Sequence, residues 1–271
     1  MARTYPPGVT CWVDTEQPDV EAAADFYAGL LGWTLTDVVP PGMDDTYLVA
    51  TLDGQDVAAL APAIGDRPAA WNTYVAVEDT DAAAAAVPAL GGRVGMAPAD
   101  AGPGGRWASC TDPLGAEFRL WQARRRLGAQ LVNVPGAWNF SDLHTPDRDR
   151  ALGFYGALFG WRTTELPAGA GAMLQVPGYG DHLAATVDPG IHERQATAPP
   201  GFADVIGGLL VDDEPHWSVT FSVADRDDAA ASAEKLGATV LSAAENLWTR
   251  TARVRDPQGA ELTLSQFTPP G

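Results

Sequence analysis

In a β-strand, residues two apart share one face, and His144 and Asp142 stand at that spacing. An imidazole beside a carboxylate could move a proton, because histidine titrates close to neutral pH. Asp142 has an equivalent in Asp14, so a structural job at a strand-to-helix corner is the other reading of both aspartates. His144 has no equivalent, since Glu16 holds its place; a surface histidine near a helix start is the other reading there. The four histidines (His144, His182, His192, His216) all lie in the second half and show no metal-ligand spacing. Cys11 and Cys110 sit in apolar runs outside any CxxC, which fits free buried thiols in a reducing compartment.

Those residues belong to a duplicated sequence. Asp14 to Trp33 reads DTEQPDVEAAADFYAGLLGW, and Asp142 to Trp161 reads DLHTPDRDRALGFYGALFGW, at an offset of 128. Asp14, Pro18, Asp19, Ala23, Phe26, Tyr27, Leu30, Gly32 and Trp33 recur unchanged. Further on, DPLGAE (Asp112–Glu117) matches DPQGAE (Asp256–Glu261) at an offset of 144. Internal repeats of this kind are read as a tandem pair of one structural unit. The offset grows because the second copy carries extra residues, about 188–214, before its central strand. Such a stretch reads as a lid or as a surface insertion.

Each copy predicts the same elements. A short strand (Thr10–Asp14; Trp138–Asp142) leads into a helix whose first turn holds Pro18-Asp19 or Pro146-Asp147, where proline and acidic residues are tolerated or favoured. Phe26 and Leu30, like Phe154 and Leu158, recur at helical spacing, and Gly32 and Gly160 end the helices. In copy one, strands follow near Trp33–Val38, Tyr47–Ala50 and Val57–Leu60. A second βαβββ then takes Asn72–Val77, helix Thr80–Leu90, Arg93–Met96, Arg106–Cys110 and Glu117–Trp121. DPxG supplies the turn before the last strand. The linker between copies runs roughly from Ala123 to Gly136.

Composition excludes several function classes. The net charge is −18 and the sequence pI about 4.3, a field that repels phosphate backbones, so nucleic acid is not an expected partner. No stretch of about 20 apolar residues exists to span a bilayer. Met1 to Pro7 lacks a basic segment followed by an apolar one, so a cytoplasmic location is expected.

The helix ending in FY-x-x-L-x-GW and the DPxG before the last strand occur twice and in register. Together they resemble the vicinal-oxygen-chelate superfamily of glyoxalases, bleomycin resistance proteins and dioxygenases. Within it, the chain is similar to a tandem, two-module glyoxalase-like group, some of whose members carry a hydroxylase label. The resemblance implies an α+β fold of two modules, residues 1–128 and 132–271. Each module is two βαβββ units curled as half-barrels around a cavity.

The superfamily binds a divalent metal through His, Gln or Glu on defined strands. Matching the motifs puts Trp12 and Phe140 at the first-strand position, Asn72 and Ser218 at the fifth-strand position, and Arg119 and Thr263 at the last-strand position. None is a ligand of that set, so no metal and no cofactor are expected. If these positions face the cavity, strand parity turns Asp14, Tyr74, Glu117 and Trp121 inward in copy one. In copy two it turns Asp142, Thr220, Glu261 and Ser265 inward, with His144 just past the strand end. Val13, Val75, Phe118, Leu120, Val219, Phe221, Leu262 and Leu264 face the helices.

An aromatic wall with a few polar groups suits a flat, partly polar organic molecule, though Trp12 and Trp121 could equally plug the barrel. Arg119 with Glu117 reads as a cross-strand ion pair or as a clamp for a carboxylate or phenolate. The expectation is a metal-free protein, monomer or homodimer, that binds a bulky, partly aromatic natural product for sequestration or tailoring. Trp12, Asp14, Asn72, Tyr74, Arg119, Trp121, Phe140, Ser218 and Thr263 are its candidate binding residues. The alternative is a cofactor-independent isomerase, cyclase or hydroxylase accessory using His144, Asp142 and Glu261. A metal-dependent glyoxalase or dioxygenase is the further alternative.

Overall fold

The computed structural model describes residues 2–40, 42, 45–165, 171–196, 198 and 201–268. The first repeat runs β1 (Thr10–Gln17), α1 (Val20–Leu31), β2 (Thr34–Asp37), β3 (Leu48–Leu52) and β4 (Gln55–Pro62). It continues with β5 (Ala70–Ala76), α2 (Thr80–Ala89), β6 (Arg93–Ala101), β7 (Gly105–Thr111) and β8 (Glu117–Ala123). The second opens with β9 (Trp138–Thr145), α3 (Arg148–Phe159), β10 (Arg162–Glu165), β11 (Ala172–Gln175), α4 (Tyr179–Thr186), α5 (Ile191–Arg194) and β12 (Val205–Val211). Its second half is β13 (His216–Ser222), α6 (Arg226–Lys235), β14 (Thr239–Glu245), β15 (Thr249–Arg255) and β16 (Glu261–Phe267). The fold is therefore the α+β arrangement of two tandem modules, each with two βαβββ units.

Every βαβββ unit is wired alike. Its first strand pairs in parallel with its last, as in β1 with β4 and β9 with β12, and the others pair antiparallel. The helix makes the crossover that a parallel pair needs.

Local sequence explains the helix ends. Asp19 and Asp147 are not first-turn residues; they are the N-caps, and each Oδ1 accepts a backbone N–H, from Ala22 and Arg150, at 3.0 Å. The prolines before them therefore lie outside the helices, and the helices begin at Val20 and Arg148. An extended backbone at Asp19 and Asp147 frees the carboxylate to reach the unpaired N–H groups. Gly32 and Gly160 end the same helices at φ of 75° and 73°, a left-handed turn that glycine adopts without a Cβ penalty.

The chain packs as two compact units, and these do not follow the repeats. One unit takes Met1–Cys11, Thr73–Gly128 and Ser141–Trp217; the other takes Trp12–Asn72, Ala129–Phe140 and Ser218–Gly271. Each thus combines the second βαβββ of one repeat with the first βαβββ of the other. In the first unit α2 packs with α3, and in the second α1 packs with α6.

The repeated motifs meet inside these units. In the second, Tyr27 of the FY pair donates its hydroxyl to Asp256 of the other repeat's DPxG at 2.8 Å, and Trp71 donates to Tyr27 at 3.1 Å. In the first, Tyr155 donates to Asp112 at 3.2 Å, and Trp217 donates to Tyr155 at 3.3 Å. The other oxygen of each aspartate closes its own turn. Asp112 accepts from Leu114, Gly115 and Ala116; Asp256 accepts from Gln258, Gly259 and Ala260. The motif tryptophans anchor the same units, Trp33 donating to the Gly136 carbonyl and Trp161 to the Gly8 carbonyl, both at 2.7 Å.

The stretch at 188–214 resolves into several parts. Residues 205–211 are β12, paired with β9 and β11, so this part is sheet and not lid. A run of alternate and consecutive apolar residues, VIGGLLV, makes a buried strand there. The added structure begins earlier than that stretch, at α4, and continues through α5 and a short 3-10 turn, Phe202–Asp204. Residues 197, 199 and 200 of that stretch lie outside the described residues.

Candidate functional site

The helix-facing set, from Val13 and Val75 to Leu262 and Leu264, is buried in the core. The opposite faces carry the candidate site residues, and these fall into separate groups.

The second unit holds Trp12, Asp14 and Asn72. Asp14 is fully buried and accepts from Asn72 Nδ2 at 2.9 Å and from the Tyr47 hydroxyl at 3.1 Å. Trp12 donates its indole N–H to the same hydroxyl at 3.0 Å. A buried carboxylate needs such partners, and here they come from the adjoining strand and from the residue just before β3. Tyr47 was not legible as a site residue, because nothing in its local pattern shows which way the residue before a strand points.

The first unit holds Tyr74, Arg119 and Trp121. Arg119 is only 6% exposed, and its Nη1 donates to the Tyr74 hydroxyl at 2.8 Å. The guanidinium carbon sits 5.4 Å from the Tyr74 ring centre and 5.1 Å from that of Trp107. Trp121 meets Tyr74 edge to face at 6.2 Å and donates its N–H to the Arg126 carbonyl at 3.0 Å. Trp107 was missed by the sequence reading because β7 carries none of the motif positions. Its pairing opposite Trp121, beside the Ser109–Arg119 pair, brings it to the guanidinium. Glu117, two residues from Arg119, is exposed.

Asp142 and His144 also lie in the first unit. Asp142 Oδ1 accepts the Gly208 backbone N–H at 2.6 Å. Burial pushes its carboxyl up to about 6, against the pull of that N–H. His144 Nδ1 lies 3.2 Å from Asp212 Oδ2, and its ring stacks on His216 with centres 4.2 Å apart and planes 14° from parallel. The Asp212 carboxyl is held below the usual range, first by the Glu214 backbone N–H and then by His144. The histidines show no ligand spacing in the sequence, yet the fold brings two of them together with Asp212. The parallel pairing of β9 with β12 sets His144 opposite Leu210, and the following turn brings Asp212 and His216 back to it.

Phe140, Ser218, Thr263 and Glu261 fall in the second unit. Phe140, Ser218 and Thr263 are half-buried, and Thr263 pairs with Thr220 between parallel strands. Glu261 accepts two hydrogen bonds each from Arg253 and Arg255. Partial burial raises its carboxyl, but the bonds from Arg255 and Arg253 outweigh that and hold it below the usual range. This is the arrangement of a cross-strand ion cluster.

Residues 17–120 match the Glyoxalase/Bleomycin resistance protein/Dioxygenase superfamily, and residues 138–265 match a Glyoxalase-like domain. Over 98% of its length the chain is 36% identical to 97% of the Mycobacterium tuberculosis protein named "Putative glyoxylase CFP32". Over 97% of its length it is 35% identical to 94% of "Anthracycline biosynthesis protein DauV" of Streptomyces sp. (strain C5). Among solved structures, the Mn(II)-bound glyoxalase of Novosphingobium aromaticivorans shares the fold, with a TM-score of 0.61 and 17% identity, covering 98% of this chain and 83% of that one. The chain belongs to the glyoxalase/bleomycin resistance/dioxygenase superfamily.

The metal that this superfamily's fold implies does not suit the residues at its matched positions. Trp12 spends its only polar group, a donor, on Tyr47, and Arg119 brings a fixed positive charge. Phe140 offers no donor atom, and Ser218 and Thr263 offer neutral hydroxyls where imidazole, carboxylate or a glutamine amide would be needed.

Proposed function

We propose that this protein binds a bulky, partly aromatic small molecule, in natural-product sequestration or tailoring, without a metal at the superfamily's position. The observation that carries this reading is Arg119. A buried guanidinium laid against two ring faces and oriented by a phenol is costly to build for packing alone. It suits a flat molecule bearing a carboxylate, phenolate or quinone oxygen: rings stack on rings, and guanidinium N–H groups hydrogen-bond the oxygen. The relationship to a protein named for anthracycline biosynthesis supports it, since anthracyclines are fused-ring aromatics with such oxygens.

The test is a titration with 1,8-dihydroxyanthraquinone, followed by tryptophan fluorescence and calorimetry. Wild type should saturate, and Arg119→Met should weaken binding by about tenfold or more while the protein stays folded. No saturable binding, or equal affinity in the variant, sinks the reading. Mass spectrometry of the incubated probe separates tailoring from sequestration.

A further inference from the structure

Asp212 and His216 lie close in sequence, and the fold delivers His144 to them from 68 residues away. We propose that His144, Asp212 and His216 form a binding site for a divalent transition-metal ion, outside the superfamily's metal position. One ligand atom from each lies within 4.8 Å of the others. Ligand bonds of about 2.0–2.2 Å in a tetrahedral arrangement put donors roughly 3.5 Å apart, so closure asks for about an ångström of approach and for the stacked imidazole planes, now 14° from parallel, to turn until both lone pairs meet at the ion. His144 and Asp212 are 19% and 38% exposed at the side chain, and have room to make it.

Hydrogen bonding anchors two of the three donors. His216 Nδ1 lies 2.7 Å from the Glu214 carbonyl oxygen, which can only accept, so Nδ1 is the donor there and Nε2 is the nitrogen left to face an ion. An imidazole held through its other nitrogen by a carbonyl is the arrangement that fixes metal-binding histidines. Asp212 is fixed likewise, its Oδ1 accepting from Glu214 N at 3.1 Å, and its own N–H bonds the Thr145 carbonyl at 3.1 Å. All three residues stand at strand ends or in the turn between strands, a stiff support for a small site.

Two imidazoles and one carboxylate favour zinc, nickel or cobalt over magnesium or calcium, which prefer oxygen. Three protein ligands leave at least one position for water or an oxygen of a bound molecule. The site is displaced from the superfamily's, His144 lying beyond Phe140 on β9 and His216 before Ser218 on β13. This inference does not rest on the Arg119 reading. An imidazole engaged on an ion is not free to act as a base, so it replaces the proton-transfer role for His144.

The test is equilibrium dialysis of the full-length protein against Co2+ and Zn2+, with metal counted by mass spectrometry and Co2+ ligation followed in visible absorption. Wild type should take up one equivalent with a ligand-field band. Asp212→Asn and His216→Gln should each lower affinity by about tenfold or more, with near-UV circular dichroism unchanged. His192→Gln, which removes the His192–Asp181 pair at 3.0 Å, should change nothing. No uptake by wild type, equal uptake by Asp212→Asn, or an equal loss in His192→Gln would each overturn the assignment. Should His216→Gln lose its near-UV signal, Asp212→Asn, a near-isosteric change in a turn, decides alone.

Discussion

The fifth residue of β1 and the fifth residue of β9 are both aspartate, yet their carboxylates turn to different partners. Asp14 binds Asn72 and Tyr47, whereas Asp142 folds onto the backbone N–H of Gly208. The neighbouring strand explains the difference. Ala59 pairs with Asp14 and puts a Cβ there, while Gly208, one residue before the Leu209–Leu143 pair, has none. A Cβ built on Gly208 would fall 2.6 Å from Asp142 Oδ1. The tyrosine–aspartate brace, by contrast, is the same in both units. What is shared is what closes the fold; what differs sits on the strand faces turned away from the helices.

That contrast is easiest to break at the scaled-up level of the repeats. Because each brace joins the FY tyrosine of one copy to the DPxG aspartate of the other, residues 1–128 or 132–271 alone lose both braces. Each fragment should lack a cooperative melt, and mixing the two should restore one. Two halves that melt cooperatively on their own would show that the shared brace is dispensable.

Removing one aspartate comes next. Asp256→Ala takes away the acceptor of three turn N–H groups, of Tyr27 and of Gln17, and should cost about 3–4 kcal/mol in urea unfolding. Asp112→Ala removes the acceptor of three turn N–H groups and of Tyr155 alone, so its cost should be smaller. The reverse order would mean that the braces are not equivalent.

The divergent face gives a smaller effect. Gly208→Ala should cost about 1–2 kcal/mol, because the Asp142 carboxyl can swing aside. Gly207→Ala should cost more, since its Cβ would meet the Ser141 backbone oxygen at 2.1 Å, which cannot. Equal costs would sink the account of why Asp142 and Asp14 differ.

Much of the fold could be read because it is local and repeated. Caps, left-handed glycines and strand alternation each depend on a few neighbouring residues: Gly32 ends its helix and Val13 and Val75 are buried as those rules require, while Asp19, expected in the first turn, is the N-cap one step earlier. The two-unit packing could not be read, since the reciprocal Tyr27–Asp256 and Tyr155–Asp112 bonds link residues whose pairing no spacing encodes. Of the candidate groups, motif matching named Asn72 and Arg119 and parity added Asp14 and Tyr74, but neither reached Tyr47, Trp107 or Asp212, which arrive from loops, turns or strands outside the motifs. His216 was visible only as a histidine; the turn that stacks it on His144 is tertiary.

The finest test compares the two tyrosine hydroxyls. Tyr27 donates over 2.8 Å and Tyr155 over 3.2 Å, and Trp71 and Trp217 donate to them at 3.1 and 3.3 Å. Tyr27→Phe and Tyr155→Phe should each cost about 1–2 kcal/mol, the first more, since each leaves an indole N–H without its acceptor. The sign of the pH dependence distinguishes a buried phenol from an exposed one. Burial first, and the charge of Asp256 second, hold the Tyr27 phenol protonated well above its ordinary value of 10.0. Above that value the unfolded chain loses the proton while the folded chain keeps it, so the unfolded state binds fewer protons and stability falls as pH rises. Phenylalanine cannot contribute that loss. The deficit of Tyr27→Phe against wild type, measured by urea unfolding, should therefore be largest at pH 7 and shrink at pH 10.5. A deficit that stays constant across that range would mean that Tyr27 ionises as freely in the folded protein as in the unfolded one. The brace would then not be the buried, neutral hydrogen bond that both units share.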